Sequence, residues 1–191
     1  MKNAIKCIAC FLLTIMIFFL CFTGCKAEDF SIYFGIETMP KNLDPQLASS
    51  YSEQLAVRNC FRGLVKWNDK TNSVEYDLIE TCDISNDGQV YKITLKDTSW
   101  HNDEKVTAHD FVFAIERACN PTTKTPFPNL LNDILGANEI LNGQNATLGV
   151  KAENDTTLII TLKSKNENFL STLANPIFMP CNKTFFENCK G

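Results

Sequence analysis

The chain has 191 residues, 45% of them hydrophobic, and carries 18 Lys and Arg against 22 Asp and Glu, a net charge of −4. That apolar content belongs to a chain that folds, which excludes a largely disordered protein. The slightly acidic balance, with no basic block, excludes the electrostatic footprint of a nucleic-acid binder.

The start of the chain reads as an export signal. Lys2 and Lys6 precede an almost unbroken apolar run from Cys7 to Phe22, followed by Thr23-Gly24-Cys25. A short basic region, an apolar core and small residues before a cut are the layout of a secretory leader. The run is at the short end for a membrane span, which takes about 20 residues. A Cys directly after Thr-Gly is the pattern of bacterial lipoproteins, in which the thiol is acylated and becomes the new N-terminus. Phe22 departs from it, since Leu, Val or Ile is usual three residues before that Cys. Residues 1–24 are read as a lipoprotein signal peptide and Cys25 as the lipidation site, against the alternative of an uncleaved anchor. Both readings export the rest of the chain; the first tethers it to the outer face of the cytoplasmic membrane. What remains is enough for one domain of ordinary size.

In the mature part, Phe30 to Ile36 is an apolar stretch consistent with a strand. Met39 to Pro45 is turn chemistry between two prolines. A helix is expected from Ser52 to Leu64, with Leu55, Cys60, Phe61 and Leu64 on its apolar face and Gly63 at its end. Val65-Lys66-Trp67 then runs into a loop over residues 68–72. Ile84, Asn86-Asp87-Gly88 and Val90 to Leu95 read as a hairpin, with Asp-Gly at the turn and Tyr91, Ile93 and Leu95 on the buried face. The clearest helix begins at Thr107, where Asp110 three residues on resembles a capping box, and stops at Asn120-Pro121. A second helix is expected over Leu130 to Leu141, closed by Asn142-Gly143. Leu148 to Ala152 and Leu158 to Leu162 form another hairpin, turned at Glu153-Asn154-Asp155, and Phe169 to Ala174 is a short helix ended by Pro176. Strands and helices mix without regular alternation, so the class is α/β or mixed α+β.

Enzyme chemistry has no residues to stand on. His101 and His109 have no Cys or His partner at metal spacing, and no Gly-rich phosphate loop, HExxH or GxSxG occurs. No metal or cofactor is expected. Of the nine Cys, Cys7, Cys10 and Cys21 lie in the leader. Cys60 and Cys119 read as small buried hydrophobes, and Cys181 and Cys189 are candidates for pairing in an oxidising compartment, with connectivity unreadable from spacing.

Several segments together resemble the bacterial extracellular solute-binding proteins of family 5, the oligopeptide- and dipeptide-binding lipoproteins of ABC importers. The carriers are Asn42-Leu43-Asp44-Pro45, Arg58 to Leu64, Ser85-Asn86-Asp87-Gly88 with Tyr91 to Leu95, Trp100 to Val112, and Arg117 to Pro121. Each is weak alone, but their order and spacing are jointly specific over about residues 30 to 185. The family usually has Asn-Gly or Asp-Gly where Asn102-Asp103 stands, a Trp where Cys82 stands, and a Leu where Cys60 and Cys119 stand.

The resemblance implies the type II periplasmic-binding-protein fold. Residues 25–61 would be the opening segment of the first lobe, 62–182 the family's extra small domain, and 183–191 the start of the return to the first lobe. Members are longer and close two lobes on the ligand; the second lobe has no counterpart here. The chain is therefore expected to be a truncated copy of a peptide importer's substrate-binding component, unable to trap ligand alone. Its implied partners are a peptide ligand and the importer's membrane permease subunits.

By the same resemblance, ligand backbone would add beside Ala48, Ser49, Ser50 and Tyr51 like an extra strand. Phe127 would pack over it, and Asn175 would reach the pocket. The competing readings are a helix N-cap for Ser49-Ser50 and loop packing for Phe127. The competing function is a free-standing lipid-anchored scaffold without a transport role; relatives that carry nickel, haem or oligosaccharides are a further alternative.

Overall fold

A computed structural model describes residues 35–189. The leader, Cys25 and residues 30–34 of the expected first strand lie outside them, and Gly35 and Ile36 form no regular element. All the described elements fall in the unit Ile36–Gly191. Strands β1 (Val65–Asn68) and β2 (Ser73–Tyr76) make an antiparallel ribbon. Strands β3 (Ile79–Ile84), β4 (Val90–Leu95), β5 (Val150–Asn154) and β6 (Thr157–Thr161) make a four-stranded antiparallel sheet in the order β3-β4-β6-β5. The helices are α1 (Tyr51–Cys60), α2 (Ala108–Cys119), α3 (Ala137–Leu141), α4 (Phe169–Thr172) and α5 (Lys183–Asn188). Single 3-10 turns occupy Pro128–Leu131 and Pro176–Phe178.

The sheet forms where alternation and turn chemistry agree. Tyr91, Ile93 and Leu95 are buried while Lys92 is exposed. Across the ladder Tyr91 faces Ile160 and Ile93 faces Leu158, so one face is continuous hydrocarbon. Helix α2 lies against β5 and β6 with Phe111, Ala114, Ile115, Ala118 and Cys119 turned inward. It is anchored as expected: an Asp110 carboxylate oxygen accepts the Thr107 backbone N–H at 2.8 Å, and the chain leaves the helix at Asn120. Tyr91 and Phe169 pack with ring centroids 5.0 Å apart, which joins α4 to the same core.

The helix expected over Ser52 to Leu64 is shorter, ending at Cys60 with Phe61 already extended. Residues 63 and 64 are taken by another partner. The Leu78 N–H donates to the Gly63 carbonyl at 3.2 Å and the Asp77 N–H to the Leu64 carbonyl at 3.0 Å. The loop expected over residues 68–72 is the turn of the β1–β2 hairpin, whose second strand the sequence reading left out.

The single helix expected over Leu130 to Leu141 is broken. Ile134 bridges Leu162, the Leu135 N–H donates to Thr161, and the Leu135 carbonyl accepts the Gly149 N–H. Residues 134–135 thus serve as sheet margin, and Gly136 turns the chain at φ +75°. A Cβ there would stand 2.2 Å from the Thr147 carbonyl oxygen, so the break needs glycine.

The cysteines divide. Cys119 is fully buried, and that burial pushes its thiol up to about 12. Cys82 is half-buried. Cys60, read as a buried hydrophobe, is exposed, because α1 ends there and overhangs an open cavity. Cys181 and Cys189 are free thiols rather than a pair. Helix α5 lies between them, and at about 1.5 Å of rise per residue its span from cap to cap is roughly 10 Å, beyond the ~7 Å reach of a disulfide.

Candidate functional site

The approach to the candidate segment is set by Asx chemistry. Asn42 Oδ1 accepts the Asp44 N–H at 2.7 Å, and Asp44 Oδ1 accepts the Gln46 N–H at 3.0 Å. The Asp44 carbonyl then accepts the Leu47 and Ala48 N–H groups at 3.0 and 2.9 Å. The Asp44 carboxylate is gripped by both guanidinium nitrogens of Arg117 on α2, one of them 3.0 Å from Oδ1. The Arg117 side chain is only 9% exposed, and its guanidinium carbon lies 4.3 Å above the Phe186 ring. This two-pronged, stacked pairing is the geometry for which arginine is suited and lysine is not.

Ala48 is buried in a small cluster with Val57 and Met179, apart from the main core. Ser49, Ser50 and Tyr51 are exposed, Tyr51 to 77%. Ser50 caps α1: its Oγ accepts the Glu53 N–H at 3.2 Å. One Glu53 carboxylate oxygen takes the Ser49 N–H at 2.9 Å, the Ser50 N–H at 3.0 Å and the Ser49 hydroxyl at 3.1 Å. These bonds, Ser50's backbone first and Ser49's next, hold the carboxyl down at about 2. The N-cap reading therefore describes Ser50 correctly. The N–H groups of residues 48, 49 and 50 are all used within the chain. A ligand strand laid here would have to donate to this stretch rather than accept from it.

Phe127 is half-buried at the start of the 3-10 turn Pro128–Leu131. Asn175 is half-buried too, and its Oδ1 accepts the Ile177 N–H at 3.2 Å, so it caps the turn Pro176–Phe178. The loops bearing these two residues meet the candidate segment at a residue sequence reasoning passed over, Gln46. Its side-chain amide donates to the Ile177 and Met179 carbonyls at 3.2 and 3.0 Å. Its Oε1 accepts from Arg117 at 2.6 Å, and its backbone carbonyl accepts the Thr125 hydroxyl at 3.0 Å. These partners lie 71 to 133 residues away along the chain, and no local pattern announces them. The only signal was position, immediately after Asp44-Pro45.

A separate cavity of about 830 Å³ opens between the end of α1 and helix α5. Leu43, Phe61, Leu78, Trp100 and Phe185 are among its walls, and Asp44 and Arg117 border it. None of Ala48, Ser49, Ser50, Tyr51, Phe127 and Asn175 lines it. Among the described residues no group of three or more His, Cys, Asp or Glu could hold a metal ion.

Residues 42–188 match the family model for bacterial extracellular solute-binding proteins, family 5, middle part. A dipeptide-binding protein of Lactococcus lactis subsp. cremoris is 36% identical over 157 residues, covering 81% of this chain and 28% of that protein. The structure of the Escherichia coli murein tripeptide binding protein MppA matches with a TM-score of 0.76 at 32% identity, over 81% of this chain and 31% of its own. Listeria monocytogenes OppA bound to peptide matches with a TM-score of 0.71 at 31% identity, over 78% of this chain and 30% of its own. The chain thus spans about three-tenths of the length of the relatives it matches. Over that span its mixed α/β fold is that of the periplasmic binding proteins.

Proposed function

Because this chain belongs to family 5 of the bacterial extracellular solute-binding proteins, we propose that it serves peptide capture outside the membrane for an ABC-type importer. The observation that carries this reading is the fold match to two peptide-binding proteins over about four-fifths of the chain, one of them solved with peptide bound. The family is one of binding proteins, and the chemistry needed is recognition alone. Residues 25–61 are read as the opening of the first lobe, 62–182 as the small domain and 183–191 as the return.

In this reading Ser49, Ser50 and Tyr51 border the ligand, Ala48 anchors that border from beneath, and Phe127 and Asn175 lie on the loops facing it. The exposure of Ser49, Ser50 and Tyr51 supports a ligand-facing role, and contacts through ligand backbone suit broad peptide specificity. Permease subunits of the importer are the protein partners. Amide NMR of the chain beyond the 24-residue leader, residues 25–191, titrated with tri-alanine to millimolar concentration, tests the assignment. Shifts centred on residues 49–51 and 127 are expected; shifts confined to the 830 Å³ cavity, or none, would overturn it.

Acylation of Cys25 tethers the protein to the membrane in the same reading. In a bacterial host, radiolabelled palmitate should enter the wild-type chain and not the Cys25→Ala variant. Equal labelling of the two would remove the anchor from that residue.

A further inference from the structure

We infer that Gln46 is the positioning residue of the candidate ligand surface, the group that sets residues 48–51 in register with the loops bearing Phe127 and Asn175. Its ligand-related meaning rests on the proposed function, but the geometry stands by itself. Gln46 is completely buried. Every polar atom of the residue is engaged, and each bond goes to a different structural partner. The backbone N–H is held by Asp44 and the carbonyl by Thr125. The amide nitrogen spans two carbonyls, those of Ile177 and Met179, in the stretch that follows Asn175. The amide oxygen takes the Arg117 guanidinium, which itself grips Asp44.

No other natural side chain reproduces this set at the same length. A Glu would keep the acceptor for Arg117 but turn a carboxylate oxygen toward two carbonyls. A Met would keep the volume and lose every side-chain bond. Leaving a buried carbonyl without its donor is costly, so the loop bearing Ile177 and Met179 would shift or open to find water. Leu131, Ile177 and Phe178 belong to the main core, while Ala48 packs in a separate small cluster with Val57 and Met179, so the Gln46 bonds join the segment at Ala48 to loops anchored elsewhere.

Hydrogen exchange followed by NMR on the whole chain tests this without ligand. In Gln46→Met, exchange at Ala48, Leu130, Phe178 and Met179 is expected to rise at least about tenfold, with Ile93 and Leu158 in the sheet unchanged, the pattern of a local opening. A merely structural loss of stability would raise the most protected sheet amides by the same factor, and that uniform result would overturn the proposal. Thr125→Val removes one tie and leaves the amide; it should speed Leu130 and spare Phe178 and Met179. Should Gln46→Met fail to fold, Thr125→Val and Gln46→Glu carry the test, and a uniform response in both would equally overturn it.

Tri-alanine shifts at residues 49–51 and 127 in wild type, lost in Gln46→Met, complete the case. Absence of those shifts in wild type would count against the peptide reading while the exchange pattern decides the positioning role.

Discussion

At Glu53 the backbone N–H groups of Ser50 and Ser49 hold a carboxyl at about 2, well below its ordinary 4.5. A depressed folded-state value contributes stability that is present above the unfolded value and is lost as pH falls through the folded one. Wild-type chain should therefore lose melting temperature between about pH 4.5 and pH 2. Glu53→Gln lacks this titration. Its deficit relative to wild type should be largest at pH 7 and shrink across that window; a deficit independent of pH would mean the cap works without charge. Asp110 behaves in the opposite sense: burial raises its carboxyl, although Thr107 and Trp100 bond to it. Both are N3 acids of capped helices. Their sequence signature is alike, but Glu53 accepts two backbone N–H groups where Asp110 accepts one, and at Asp110 the burial outweighs the bonds.

Among the elements, the turn over Trp100 to Glu104 explains a departure visible in the sequence. Where the family usually has glycine, Asp103 stands at φ +65°. The Asp103 N–H donates to the Trp100 carbonyl at 3.0 Å and the Trp100 N–H to that of Glu104 at 2.8 Å, so residue 103 is the left-handed member of a bulged turn. Gly88 holds the same place in the β3–β4 connection, at φ +70° and with its N–H on the Ser85 carbonyl. An L-residue in that region costs about 1–2 kcal/mol, partly returned by the lower unfolded-state entropy of Asp. Asp103→Gly should raise the unfolding free energy by roughly 0.5–1 kcal/mol in urea titrations, whereas no gain would mean Asp103 makes a compensating contact. Gly136 offers no such freedom of choice, since the Thr147 backbone fills the space of any side chain.

For the whole molecule, the proposed peptide contacts are few: residues 49–51 and Phe127. A peptide touching residues 49–51 and Phe127 would leave its other side in water, and association must first offset the lost freedom of both partners. Calorimetry with mixed tri- to pentapeptides should therefore give millimolar affinity or weaker, about −4 kcal/mol at best. Micromolar binding would show that these residues close most of the site themselves. The apolar cavity between α1 and α5 should not respond to such peptides, because none of the candidate residues reaches it.

The sequence alone determined the features that are local. The alternation of Tyr91, Ile93 and Leu95, the capped start at Thr107, the stop at Asn120-Pro121 and the Ser50 cap follow from contacts within about four residues, and all are present. The spaced motifs from Asn42 to Pro121 were enough for the family as well, because order and spacing record a fold without describing it. Tertiary structure decided the rest. Helix α1 ends at Cys60 with Phe61 extended, and residues 63 and 64 bond to Asp77 and Leu78 across the chain; the stretch before Gly136 leaves the helix because Thr161 and Gly149 take its backbone. Cys60 is exposed at the end of α1, on the wall of the open cavity. Gln46 is the clearest case: its bonds to Arg117, Thr125, Ile177 and Met179 join segments far apart in the chain, and such bonds exist only after the chain has folded.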